Sequence, residues 1–140
     1  MSALYEKALL EHNKYPHNYG DLPEATARAS GKNPLCGDDL SIAVCLEGET
    51  LAAVRFSGKG CAIAMAAASI MTDEVKGKTR ADVIALSETF RAMLEGAPPK
   101  NDLPGLMLMF QSVRAYPLRV PCALLPWDAL NSALELARER

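Results

Sequence analysis

The sequence lacks an export signal, a membrane-length apolar run and an excess of charge of either sign. The first residues show no basic flank, apolar core and small-residue cleavage site, so we expect a cytoplasmic protein. The longest apolar stretch, residues 61–71, is about half as long as a membrane helix. The formal net charge is −2, so the chain has no excess of positive charge that would attract nucleic acid or an anionic membrane, and neither is expected as a partner.

Paired cysteines of the CxxC type are also missing, which excludes a classical zinc-finger motif. The chain has four cysteines in 140 residues. In a reducing compartment, cysteines are metal ligands, reactive thiols or core residues more often than disulfides. With 49% apolar and 23% charged residues, the composition is that of an ordinary globular protein. Residues 1–140 are therefore expected to form a single domain whose core needs no disulfides.

The order of extended and helical patterns predicts an α+β fold. Three extended segments, the first of them weak, are predicted at residues 25–30, 40–47 and 51–57. Five helical segments are predicted at residues 3–13, 61–77, 79–96, 103–114 and from about 127. The expected architecture is a small antiparallel sheet of about three strands, with about five helices packed mainly on one side.

Three of the four cysteines lie where the chain changes direction. Cys36 lies in a turn rich in Asn, Pro and Gly, Cys61 at the junction of a strand and a helix, and Cys122 just after Pro121 at another expected helix start. Free N–H groups at a helix start favour a thiolate. Asp38 lies two residues after Cys36 and offers a carboxylate to the same region. Three thiolates and one carboxylate would form a tetrahedral donor set that suits zinc.

Each of these residues also has an ordinary structural interpretation. An isolated cysteine is usually a small buried hydrophobe, and we adopt that interpretation for Cys45, which alternates with apolar neighbours in a strand. Asp38 taken alone is typical of a turn or capping residue. Spacing in the sequence therefore leaves both a metal site and a structural role open for Cys36, Cys61 and Cys122.

Four sequence blocks, which together cover most of the chain in order, carry a resemblance to a known family. The blocks are LYEKALLEHNKYPHNYG, NPLCGDDL, FSGKGCAIAMAAASIM and LRVPCALLPWDAL. The combination of CGD, GxGCAI and a late cysteine before a tryptophan resembles the N-terminal domain family of the IscU, SufU and NifU iron–sulfur cluster assembly proteins. The resemblance implies four metal ligands, which are Cys36, Asp38, Cys61 and Cys122.

Further details resemble the SufU branch of that family. The interval between Cys61 and Cys122 is long, Arg119 lies three residues before the last cysteine, and Pro121 stands where IscU-type scaffolds have a histidine. The resemblance implies zinc as cofactor, a SufS-type cysteine desulfurase as partner, and downstream cluster assembly proteins. It also implies that Cys36 takes up persulfide sulfur after a histidine of the partner displaces it from zinc. Arg119 would support the site by stabilising negative charge or contacting the partner, although a surface salt bridge is an equal alternative.

Three functions remain open at this point. The first is a zinc-dependent sulfur acceptor, which is sulfurtransferase-like and works with a desulfurase rather than as a stand-alone enzyme. The second is a scaffold that assembles a [2Fe–2S] cluster, or holds iron, at the same residues and passes the cluster to apo-proteins. The absence of histidine beside Cys122 weighs against a scaffold, while Asp38 remains available as a cluster ligand. The third is a structural zinc module without transfer chemistry.

Other conspicuous residues receive structural interpretations. His12 and His17 have no motif that ties them to a cysteine, so a structural or surface role is expected. The charged stretch 73–78 is interpreted as a solvated helix end. Packing in the core is expected for Met107, Met109 and Trp127.

Pro126 lies four residues after Cys122. Because proline has no N–H, it cannot donate the helical hydrogen bond to the Cys122 carbonyl. We therefore expect the last helix to start later, near residue 127, or to kink at this position.

Overall fold

The computed structural model describes residues 3–98 and 103–138, with side chains from residue 6 onwards. Residues 1, 2, 99–102, 139 and 140 of the expected domain lie outside the described residues. The strands are β1 (Ala27–Asn33), β2 (Asp38–Glu47) and β3 (Thr50–Lys59). The helices in this part of the chain are α1 (Ala3–Lys14), α2 (Ala62–Val75), α3 (Arg80–Leu94), α4 (Gly105–Leu108) and α5 (Val120–Arg138). The predicted α+β class is confirmed.

The sheet is antiparallel throughout and has the order β1–β2–β3. Leu40, Ile42 and Val44 alternate along β2 and are fully buried on one face. The register places Ile42 opposite Phe56 and Val44 opposite Val54, so apolar side chains meet across the ladder. Helices α2 and α5 pack on the sheet, as the predicted one-sided arrangement requires.

The register also brings two loops together at one end of the sheet. Asn33 pairs with Asp38 across the loop that joins β1 to β2. The next residue, Asp39, pairs with Lys59 at the end of β3. The β1–β2 loop therefore lies beside the junction of β3 and α2, although 20 or more residues of chain separate them.

Small residues on α2 and large residues on α5 complete the core. Short side chains let α2 approach its neighbours closely, and those fully buried on it are Ala64, Ala66, Ala67 and Ala68. On α5, Trp127 is buried with its ring centroid 5.6 Å from that of Phe90, so its packing role is confirmed. None of the helices described here combines the length and apolar character that crossing a bilayer requires.

The expected helix start at Cys122 is confirmed to within two residues, whereas the alternative start near residue 127 is wrong. The kink at Pro126 stays a prediction. Helix α5 begins at Val120 and continues through Pro126. Proline removes one helical hydrogen bond, but Leu124, Trp127 and Leu130 are buried along the same helix. Burial of side chains of this size contributes about 1.5–3 kcal/mol each, which outweighs the loss of one backbone bond. The free energy gained by burying these side chains therefore exceeds the cost of a proline inside the helix.

The segment predicted as a helix over 103–114 is only partly α-helical. A single turn, α4, is followed by a 3-10 helix over Met109–Ala115. Met107, Phe110 and Val113 are all buried at a spacing of three residues, which matches the 3.0-residue turn of a 3-10 helix. Met107 and Met109 are buried, so their expected place in the core is confirmed.

Gly58, near the end of β3, is required by close approach of the backbone. Its φ is +108°, and a Cβ atom at this position would overlap the carbonyl oxygen of Asp39. Gly48, in the turn between β2 and β3, also has a positive φ (+64°), but a Cβ there would meet nothing within 4 Å. A side chain at Gly48 would meet backbone strain alone, whereas one at Gly58 would meet both strain and steric overlap.

We expect Gly58→Ala to lower the free energy of unfolding by about 3 kcal/mol or more, because strain and overlap add together. Gly48→Ala, the matched control, should cost about 1 kcal/mol from strain alone. Denaturant unfolding of the two variants measures the difference. Equal losses would show that β3 shifts away from Asp39 without cost.

Candidate metal centre

Cys36 lies in the tight loop between β1 and β2. The loop is closed by hydrogen bonds from the Cys36 N–H to the Asn33 carbonyl (3.2 Å) and from the Gly37 N–H to the Pro34 carbonyl (3.4 Å). Gly37 follows with φ of +70°, a conformation that glycine adopts without steric cost. The cysteine is only partly buried, so its sulfur is presented at the end of the sheet rather than enclosed in the core.

Asp38 and Cys61 are joined by a partly buried hydrogen bond. The Cys61 N–H donates to Oδ1 of Asp38 at 2.7 Å, and the Cys61 Sγ lies 4.0 Å from the second carboxylate oxygen. Cys61 occupies the N-cap position of α2, where a helix leaves unsatisfied N–H groups. Asp38 is 2% exposed, so its carboxylate replaces water as the acceptor at this helix start.

Cys122 approaches from the opposite direction, in the first turn of α5. It is fully buried, and its Sγ lies 2.8 Å from the Sγ of Cys36, longer than the S–S bond of about 2.0 Å in a disulfide. Asn33 donates a side-chain N–H to the same sulfur at 3.5 Å. Burial first, and then hydrogen bonding to Cys36, raise the pKa of Cys122 well above its usual range.

The four side chains together form one cluster of metal-binding groups. One ligand atom from each residue lies within 4.8 Å of the others, and the residues are Cys36, Asp38, Cys61 and Cys122. This separation is compatible with four donors around one ion, and three sulfurs with one oxygen suit tetrahedral zinc. The residues present therefore fit a metal ion.

Arg119 and a shallow recess border this cluster. The Nη1 of Arg119 lies 3.7 Å from the Sγ of Cys36, and the negative charge of the Cys36 thiolate raises the pKa of this exposed guanidinium. The recess, about 470 Å³ in volume, is lined by Cys61, Ala62, Ile63, Tyr116 and Arg119. Exposed Leu35 and Leu118 lie next in sequence to Cys36 and Arg119. The exposed side of the cluster thus combines a positive charge with apolar groups.

The structure brings together the four residues singled out from the sequence and leaves the fourth cysteine apart. Cys45 is half-buried on β2, at a β-bulge, and is not a member of the cluster. Sequence reasoning missed Asn33, whose amide contacts Cys122 across 89 residues. Its only sequence signal is its place in the turn three residues before Cys36.

Comparison with known proteins places the chain in a family. A family model described as the NifU-like N-terminal domain matches residues 4–135. The chain belongs to this family. Its relatives include the iron–sulfur cluster assembly scaffold protein IscU of Streptococcus pyogenes serotype M1, 34% identical over 137 residues, which cover 96% of this chain and 85% of the relative. The zinc-dependent sulfurtransferase SufU of Bacillus subtilis is 33% identical over 135 residues, covering 96% and 91%.

A solved structure supports the same assignment. FiSufU from the thermophile Fervidobacterium islandicum AW-1 superposes with a TM-score of 0.88 at 30% sequence identity. The superposition covers 96% of this chain and 99% of that structure. This chain and FiSufU therefore share their fold along nearly their whole length, including the strands and helices that position the four clustered side chains.

We expect Asp38→Ala to destabilise the metal-free protein by about 1–3 kcal/mol, because the partly buried Cys61 N–H loses its acceptor. Asp39→Ala is the matched control, since among the residues that the structure describes this exposed carboxylate forms one ion pair, at 3.9 Å with Lys32, and its loss should cost less than about 1 kcal/mol. Unfolding in the presence of a chelator measures both. A loss for Asp38→Ala no larger than that of the control would contradict the capping role.

Proposed function

We propose that this protein is a zinc-thiolate sulfur acceptor, which receives persulfide sulfur from a SufS-type cysteine desulfurase in the cytoplasm and passes it on to cluster assembly proteins. The observation that supports this most strongly is the convergence of three sulfurs and one buried carboxylate at a partly open site. The proposed zinc ligands are Cys36, Asp38, Cys61 and Cys122. Zinc, when bound, would keep these thiols deprotonated at neutral pH while restraining them as nucleophiles.

Burial and backbone context favour Cys36 as the accepting residue. Cys122 is fully buried in a helix, and Cys61 is fixed at a helix start by its N–H bond to Asp38. Cys36 lies in a short loop next to Gly37, around which a Cβ would meet nothing within 4 Å. Of the three sulfurs, that of Cys36 can therefore move with the least disturbance of the fold.

The transfer itself is thiol exchange. The Cys36 thiolate attacks the outer sulfur of the persulfide on the desulfurase cysteine, and the bond between the two donor sulfurs breaks. The desulfurase cysteine leaves as a thiolate, and Cys36 becomes a persulfide, so no external oxidant or reductant is needed. Arg119, 3.7 Å from the Cys36 sulfur, is placed to stabilise the negative charge throughout this exchange.

Two features connect this proposal to the relatives. The Bacillus subtilis relative is a zinc-dependent sulfurtransferase by name and is similar along nearly the whole of both chains. In this chain Pro121 precedes Cys122, and neither histidine belongs to the cysteine cluster. A donor set of three sulfurs and one oxygen suits zinc. An imidazole ligand, which the cysteine cluster lacks, would also suit iron.

A second candidate function is a scaffold on which a [2Fe–2S] cluster is assembled and transferred. The Streptococcus pyogenes relative is named as such a scaffold, and it is about as similar to this chain as the sulfurtransferase. Cysteine ligation is the usual way in which proteins hold such clusters. The two functions use the same residues and differ in what is bound.

Stimulation of a SufS-type desulfurase tests the sulfur-acceptor function. We expect the zinc-loaded wild-type protein to increase desulfurase turnover and to gain the mass of one sulfur atom on Cys36. Cys36→Ala should reduce the stimulation to background, because the acceptor sulfur is gone. Cys45→Ala is the matched control, since this cysteine lies outside the cluster, and it should stimulate like the wild type.

Loss of stimulation in the Cys45→Ala control, or full stimulation by Cys36→Ala, would overturn the assignment of the acceptor. Sulfur found on Cys61 or Cys122 instead of Cys36 would move the acceptor role to that residue. The mass of the peptides after digestion distinguishes these outcomes.

Metal and cluster content after anaerobic purification separates the two candidate functions. We expect about one zinc per chain without visible colour. Cys61→Ala should weaken zinc binding by at least about tenfold, because it removes a sulfur ligand. Iron with sulfide and a visible charge-transfer band would favour the scaffold. An absence of metal in the wild type would contradict the proposed ligand set.

A further inference from the structure

A second group of metal-binding side chains lies where α1 packs on α2, and it belongs to neither the cysteine cluster nor its recess. His12 is in the last turn of α1, His17 follows in the next turn of the chain, and Asp73 is near the end of α2. One ligand atom from each of the three lies within 4.8 Å of the others. We infer that His12, His17 and Asp73 form a second binding site, which takes a divalent transition metal.

The three side chains lie close together, although Asp73 is far from the two histidines in the sequence. The ring centroids of His12 and His17 are 4.5 Å apart. Nδ1 of His17 lies 2.5 Å from Oδ2 of Asp73, although 56 residues separate them. Packing of α1 against α2 therefore assembles these donors, since the spacing in the sequence joins only the two histidines.

Neighbouring groups hold the imidazole of His12 in a fixed orientation. Nδ1 of His12 is 2.6 Å from the Ser69 hydroxyl oxygen, which also accepts the His17 N–H at 2.8 Å. If Nδ1 donates its proton to that oxygen, Nε2 keeps a free lone pair. Histidines that bind metal usually donate their other N–H to such an acceptor, which fixes the ring and its tautomer.

The carboxylate of Asp73 is held in the same way. The Asn18 side chain donates to Oδ1 of Asp73 at 3.0 Å and to the Thr72 hydroxyl at 3.0 Å. Oδ2 forms a hydrogen bond with Nδ1 of His17, and a bound ion would take the place of the proton that these two atoms share. Asp73 is exposed near the end of α2, as expected for residues 73–78, and it also takes part in a defined set of polar contacts.

Exposure of the group allows an ion to reach it. His12 is 7% exposed, whereas the side chains of His17 and Asp73 are 54% and 40% exposed. Burial, and next the neighbouring His17, lower the pKa of His12. The site therefore has a rigid inner ligand and two outer ligands that contact solvent.

The chemistry of the donors selects the class of ion. Two imidazoles and one carboxylate suit Zn²⁺, Co²⁺, Ni²⁺ or Cu²⁺, whereas Mg²⁺ and Ca²⁺ prefer oxygen ligands alone. Three protein ligands leave at least one coordination position for water or another group. Asp73 lies 12 residues along α2 from Cys61, about 18 Å at 1.5 Å per residue, so this site and the cysteine cluster cannot share one ion.

The chain has only two histidines, and both lie in this group. The imidazole NMR signals of ¹⁵N-labelled protein therefore report on this site alone, whatever occupies the cysteines. In a titration of the full chain with Zn²⁺, we expect the signals of both imidazoles to shift along a saturable curve. His17→Ala and Asp73→Asn should each raise the Zn²⁺ concentration at the midpoint by about tenfold or more, because each removes a ligand. Both variants change partly exposed residues, so the fold should be little affected.

Asp21→Asn is the matched control, because it removes an exposed carboxylate that, within residues 3–98 and 103–138, forms one ion pair, a 3.5 Å contact with Arg28. It should leave the midpoint unchanged. The inference is overturned if neither imidazole responds to Zn²⁺, or if the His12 signals respond with unchanged midpoints in both His17→Ala and Asp73→Asn. Because the readout does not depend on the cysteines, a failure of the sulfur-acceptor function would leave this result unaffected, and the reverse also holds.

Discussion

The partly buried hydrogen bond between the Cys61 N–H and the Asp38 carboxylate is the contact on which the rest of the site depends. It joins the first residue of β2 to the start of α2, so it fixes the sheet and the helix at the same point. Gly60 makes it possible, because a Cβ at that position would lie 2.8 Å from the Asp38 oxygen. With this contact in place, Cys61 and the carboxylate face Cys36 and Cys122 without further adjustment.

The cysteine cluster combines one rigid side and one adaptable side. Cys122 is enclosed by the core and held by the longest helix, and Asn33 fixes its sulfur from β1. Cys36 lies in a four-residue loop beside Arg119 and an apolar recess. Under the proposed function, this asymmetry would let the Cys36 sulfur leave the ion while the more rigid ligands hold it.

Local signals predicted what local structure determines, and they failed where distant contacts decide. The turn at Cys36 and the strand–helix junction at Cys61 were predictable because Gly, Pro and Asn mark such places. The expectation that Pro126 delays the start of α5 was wrong, since the rule for proline contains no information about the burial of Trp127. The contact between His17 and Asp73 spans 56 residues and could not be derived from any short pattern.

The separation of Cys36 and Cys122 along the chain has a consequence for the whole fold. These neighbouring sulfurs are 86 residues apart in sequence, so an ion held by both would act as a reversible cross-link between the first hairpin and the last helix. Closing a loop of that length removes on the order of 4 kcal/mol of chain entropy from the unfolded state. The free energy of unfolding would then rise with the free concentration of the ion, so occupancy of the site would set the stability of the whole fold.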